Sequence, residues 1–542
     1  MPSVKLSVTV RSSLEKKYNP AALKKIDAAV KAWIAADTAR GIQTIHVAVD
    51  DPARMKQLGV PAVKGKATAN KIKSAVDALW AKLTPDYLVL FGGDDIVPYF
   101  VVTNPSFSPK GDDDPVVPTD NPYACSSPFD ASKRKSYLVP DRVVGRIPDM
   151  LQDGDPVWLT DYLATATAWK SGPASDYKNA YTICADPWKK AGVKCVEYLG
   201  KPASLLLVAP PEGDASATAK NRLSSPLHMI KCHGSPLDPE FYGQKGQSYP
   251  VALSSTTLKP RLKPRTLVAA MCCYGAQVYS PNDPAATLPG EWPLASTYLR
   301  KGAPGFAGST MIAWVGIDEM VCADWIAAGY LKAVLGGAST GRGFLESKQN
   351  YLNWINQQGR APDRADEKTL IEFILLGDPA VHPVTVPEHA PAMAKPGAAA
   401  AAVPATALIA QERHQRRMVR AQMGHQIREL LPVRSAAPPA AVARASKVFA
   451  AVSAQVKGPK DFGIKASSLR ADELETKIPA APAMAGRRIT RVAAAPSNRN
   501  RKSIEYYWSG RRFQKGQKQV RMVKVETDPK GNVLRTLVLH SS

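Results

Sequence analysis

The chain has 542 residues, too many for one ordinary core, so two or three folded units with linkers are expected. Its composition, 45% hydrophobic and 22% charged, is globular on average and excludes a wholly disordered chain. The formal net charge of +24 is uneven: residues 1–385 carry +6 and residues 386–542 carry +18. The opening MPSVKLSVTVRSSLEKK lacks the apolar core of a secretory signal. No apolar run reaches the roughly 18 residues of a membrane span, so no membrane partner is expected. Seven cysteines without C-x-x-C or H-x-x-x-H spacing argue against a disulfide framework and a structural zinc site. A reducing cytoplasm is the expected location, where a thiol stays free.

In chain order, apolar residues at helical spacing predict a helix over 21–39. IQTIHVAVD (42–50) reads as a strand, 68–83 as a helix, and DYLVLFGG (86–93) as a buried strand ending in glycines. After a Pro/Asp-rich loop, RVVGRIP (142–148) is a short extended piece. YTICAD (181–186) is a strand, followed by a helix over 187–199 and a strand at SLLLVAP (204–210). LHMIKCHG (227–234) is a strand ending in His-Gly, and TLVAAMCC (266–273) one ending in Cys-Cys. One further strand is expected within 302–316, then helices near 319–337, 341–357 and 366–376. Apolar strands alternating with helices predict an α/β fold with a parallel sheet covered on both faces. Ligands of such sheets bind beyond the carboxyl ends of the strands, where His233 and the Cys272-Cys273 pair stand.

A thiolate is a strong nucleophile, and a nearby imidazole activates it or carries its proton. Two neighbouring strands ending in His233 and in Cys272 or Cys273 would bring these groups to one crevice. Gly234 removes a side chain beside the histidine, so its N–H could approach a developing oxyanion. Against this stands the plain reading that His-Gly is a common strand-to-turn pair and that buried cysteines are usually inert. Asp186 precedes Pro187 and a helix, a capping arrangement. Asp94, Asp95 and Asp112 to Asp114 lack the spacing of a calcium loop and read as solvated acids; no metal or cofactor is expected. Asp378 reads as a turn former and Tyr123 as core or rim.

LHMIKCHGSP and LVAAMCCYGA resemble the two active-site blocks shared by caspases, legumain, separase, CHAT domains and gingipains. YLVLFGGDDIVP (87–98), the pair PTDNPYAC and PDRVVGRIP (118–125 and 140–148), and LLGDPAVHP (375–383) resemble the gingipain-type branch, in that family's order. The resemblance implies a caspase-like, mainly parallel sheet flanked by helices, and a cysteine-type endopeptidase acting on protein or peptide substrates through a thioester. It implies His233 as base or proton shuttle. For the nucleophile it favours Cys273, preceded by a small residue and followed by Tyr274-Gly275, with Cys272 as the alternative. It also puts Asp186 where a carboxylate would select Arg or Lys at the cleavage position.

Residues 386–499 are rich in Ala, Pro and Arg and read as a linker, with a basic amphipathic helix possible in composition over 406–431. QVRMVKVETDPKGNVLRTLVLH reads as a hairpin around D-P-K-G-N, and residues 500–542 as a small basic β unit that has to pack on something. The expected order is an α/β subdomain (1–170), a caspase-like catalytic subdomain (171–385), the linker (386–499) and the β unit. The basic C-terminal region fits a regulatory segment. Its basic runs and aromatics also leave a nucleic-acid partner open, though no named binding motif is present. The competing reading of the core is a catalytically silent caspase-fold interaction module.

Overall fold

The computed structural model describes residues 3–108, 112–385, 469–472, 504–514, 517–527 and 533–541. A ten-stranded sheet forms its centre, in the order Ile42–Ala48, Ser3–Thr9, Tyr87–Phe91, Val143–Ile147, Phe373–Gly377, Gly305–Ser309, Leu267–Ala270, Leu227–Lys231, Ala180–Ala185 and Leu206–Ala209. The first four pair in parallel, as do the last five. Strands from residues 1–170 and from 171–385 thus share one sheet, joined through Phe373–Gly377.

That joining strand departs from the expected pattern twice. The helix expected over 366–376 stops at Glu372, and the LLG of LLGDP is strand. The strand runs antiparallel to Gly305–Ser309, with Leu375 opposite Ala307. The ten-stranded sheet is therefore mixed but mainly parallel, as expected, with this one antiparallel pairing inside it. The reason is local: helix Arg364–Glu372, set by an Asp363/Asp366 capping box, feeds straight into the strand at Phe373 without a crossover.

The flanking helices follow their apolar spacing. Helix Pro20–Ala39 starts at the Asn19 cap with Pro20 in its first turn and buries Leu23, Ile26, Val30 and Trp33. Helix Ala69–Leu83 starts at Thr68 and buries Ile72, Val76 and Leu79. At the sheet's core, Lys5 is wholly buried between Asp37 (2.5 Å) and Asp378 (2.6 Å). Asp378 also accepts from Trp33 Nε1 at 2.9 Å. Asp378, expected only to form a turn, is therefore a buried counter-ion for the sheet. Tyr123 is core, its hydroxyl donating to Pro98 O.

The C-terminal β unit is a five-stranded sheet in the order Trp314–Gly316, Val533–Ser541, Gln517–Thr527, Ile504–Gln514 and Leu469–Asp472. Val533–Ser541 pairs antiparallel with Gln517–Thr527 on one side and with Trp314–Gly316 on the other. Leu469–Asp472 is a strand within the stretch expected to be linker. The helix expected over 406–431 lies outside the described residues.

Candidate active site

The His and Cys strands end earlier than expected, and His233 and the cysteines follow in the turns beyond them. Strand Leu227–Lys231 leaves the main sheet after Lys231, whose ammonium pairs with buried Asp324. His233 and Gly234 then start a small antiparallel sheet, opposite Tyr242 and Phe241. The neighbouring strand ends at Ala270, and Cys272-Cys273 follow in the turn beyond it. The two turns touch through their backbones. A Cβ on Gly234 would stand 2.0 Å from the Cys273 carbonyl oxygen, so only glycine permits this approach.

The two cysteines differ in surroundings. Cys272 is fully buried in the main core, with its thiol directed to Ile230 O at 3.8 Å. Cys273 lies in a separate cluster with Ile312, Trp314, Val321, Cys322, Ala365 and Leu539. Its sulfur accepts from Ala313 N at 3.3 Å. Burial pushes both thiols well above their ordinary range, although the Ala313 N–H pulls Cys273 the other way. Cys273 is thus covered, and burial favours its thiol form. All seven cysteines are free and buried.

Tyr274, directly after Cys273, has φ +56°, a left-handed conformation that costs a bulky residue roughly 1–3 kcal/mol. The turn is held in place on both sides. Tyr274 N donates to Met311 O, and the Tyr274 hydroxyl donates to Asp114 at 3.0 Å. The acidic loop is thus no solvated feature throughout: Asp112 is buried against Lys368, and Asp114 is half-buried on Tyr274 and Ile312 N. Beside them, burial lifts the Glu372 carboxyl to about 8, against the pull of Lys368. Asp94 and Asp95 are exposed, accepting from Tyr99 N and from Lys17. No group of His, Cys, Asp and Glu with metal-binding geometry occurs among the described residues.

His233 is buried between Trp188, at 4.4 Å between ring centres, and Tyr249, at 5.4 Å. Its Nε2 meets Gln244 Oε1 at 2.9 Å, and Gln244 Nε2 donates to Gly246 O, which fixes the amide's orientation. Gln244 thus holds the ring through Nε2 and fixes its orientation. Gln244 carried no signal in the sequence, being one polar residue in a Gly/Tyr loop. Asp186 is exposed at the first position of a short 3-10 turn whose cap is Ala185, so it is not the helix cap that the sequence suggested. The same turn carries Trp188 against His233.

The longest described helices include none apolar enough to cross a membrane. No curated protein matches the chain. Residues 19–220 match the family model described as peptidase family C25. Of the central sheet the matched span holds Ile42–Ala48, Tyr87–Phe91, Val143–Ile147, Ala180–Ala185 and Leu206–Ala209; it leaves out Ser3–Thr9 and ends before His233 and Cys273. Over that span, and in its mixed, mostly parallel ten-stranded sheet, the chain is similar to peptidase family C25, the gingipain family of cysteine endopeptidases with a caspase-like fold.

Proposed function

We propose that the chain hydrolyses peptide bonds with Cys273 as nucleophile and His233 as proton carrier, under the control of its C-terminal region. The observation that carries this reading is the contact of the Gly234 and Cys273 backbones, which sets the histidine turn against the cysteine turn. In the first step the Cys273 proton passes to His233 and the sulfur bonds to the substrate carbonyl carbon. The oxyanion forms in reach of backbone N–H groups of Gly234 and Cys273. The C–N bond then breaks, and the amine leaves with the proton from His233. Water, giving up a proton to His233, hydrolyses the thioester and restores the thiol. Cys272 faces Ile230 inside the core, which supports Cys273 for this role.

The side chains clustered around Cys273 are apolar, which favours an uncharged substrate side chain beside it. A basic preference would instead draw on Asp186, which is exposed two residues before Trp188. Digestion of a mixed peptide library by the purified chain separates the two by the residues at the cut sites. The reading requires that cleavage vanish in His233→Ala; cleavage that survives this change, or none at all from any form with the crevice open, would reject it and leave an interaction module.

Gln244 acts through His233 as a positioning residue. Gln244→Ala is expected to lower kcat about tenfold with KM little changed, because the ring loses its fixed orientation. Gln244→Glu would place a carboxylate against the imidazole and raise its pKa. The limb of the pH–rate profile that reports His233 should then move to higher pH, a shift that a merely structural role would not produce.

A further inference from the structure

The short strand Trp314–Gly316 belongs to no strand of the central sheet. One of its sides is bridged by Cys322, through Val315. The other is taken by the chain's own last strand, Val533–Ser541, which pairs antiparallel with Gly316 opposite Leu539 and Trp314 opposite Ser541. The place is specific. Ala313, the residue before this strand, is the one whose N–H reaches the Cys273 sulfur. Leu539 is only 1% exposed and lies in the Cys273 cluster, with Leu537 half-buried on the same face. The last strand is braced from behind along its length by Gln517–Thr527, with Val523 and Val525 buried.

An extended peptide binds a free strand edge by adding as one more strand, its alternate side chains filling pockets. The last strand does this beside the proposed nucleophile. We propose that Val533–Ser541 is an internal occupant of the peptide-binding edge, which keeps Cys273 covered until the strand is displaced. The inference rests on the reading of Cys273 as the nucleophile. It gives the C-terminal region its mode of control: competition with substrate for one strand edge and the apolar side chains that Leu539 now covers. A peptide that supplants it carries an aliphatic side chain of about leucine's size at the position of Leu539.

The test uses the full chain, Leu539→Asp and the milder Leu539→Ala. The rate of Cys273 alkylation by iodoacetamide is read by mass spectrometry, and library hydrolysis is followed in parallel. Alkylation should be at least tenfold faster in Leu539→Asp, with a smaller rise in Leu539→Ala. A synthetic peptide of the sequence 535–541 should slow it again. Amide exchange should rise at Trp314–Gly316 and stay slow in the central sheet, which shows that only the last strand has moved. Equal alkylation in all three chains would overturn the proposal, whether or not they hydrolyse peptides. Faster alkylation with no hydrolysis by any chain would uphold the covering strand and reject the peptidase reading instead.

Discussion

Cys273→Ala, made in a chain whose crevice is open, is expected to lower peptide hydrolysis by roughly 10⁴-fold or more, because no second group replaces the sulfur that forms the acyl intermediate. Cys272→Ala is the informative partner. Its thiol is wholly buried among core side chains, so its loss leaves a small cavity, costs about 1 kcal/mol of stability, and leaves kcat within a few-fold of the parent. Steady-state kinetics on both variants check this, with thermal unfolding to separate lost chemistry from lost fold. The reverse pattern, a silent Cys272→Ala and an active Cys273→Ala, would move the nucleophile one residue back. The burial that raises the Cys273 thiol adds a second reading. Opening the crevice should lower its pKa, so the alkylation rate should begin to rise at a lower pH in Leu539→Asp than in the parent.

The largest stability effect is expected from Lys5→Met. Lys5 is the only cation in direct ion-pair contact with both Asp37 and Asp378 among the described residues, and all three side chains are wholly buried. Removing it leaves two buried carboxylates facing each other with only the more distant Arg40, 3.7 Å from Asp37, as counter-ion, at a cost of about 3–5 kcal/mol at pH 7. Burial already raises the Asp37 carboxyl, against the pull of Lys5. Without the ammonium its folded pKa rises further above the unfolded value, so the variant is penalised above that pKa and recovers as pH falls through it. The gap between variant and parent should therefore be smaller at pH 5 than at pH 7. Unfolding by urea at the two pH values measures it. A gap that widens on acidification would contradict the ion-pair account.

Much of the fold could be read directly from the residues, where burial and local pattern agree. Tyr87–Phe91, Ala180–Ala185 and Leu227–Lys231 are apolar enough to be strands in any context, and Asn19-Pro20 and Thr68 mark helix starts by their own chemistry. The failures have physical causes. FILLG follows a helix without a break, and a short apolar run does not distinguish a buried helix turn from a strand. Ser3–Thr9 was not expected as a strand. Its polar residues Ser3, Lys5, Ser7 and Thr9 are buried only because distant partners such as Asp86, Asp378 and His46 satisfy them. At the candidate site, His233 and the cysteines stand out because each ends an apolar run. Gln244, Asp114 and Leu539 do not, since what brings each to the crevice is tertiary packing rather than sequence spacing. Asp114 lies 160 residues from the tyrosine it holds.

The strand Phe373–Gly377 also sets the order in which the molecule can be completed. It sits between the N-terminal strands and those that carry the cysteine turn, yet it is the last of the ten to leave the ribosome. The ammonium of Lys5 meets Asp378 across 373 residues of sequence. At a synthesis rate of about 5–20 residues per second, the N-terminal strands wait tens of seconds for this partner. Until then their inner edge is open and Lys5 lacks half of its counter-charge. A nascent chain of this protein therefore depends on having its exposed sheet edge shielded during that interval, and it gains its assembled crevice only when the sheet closes.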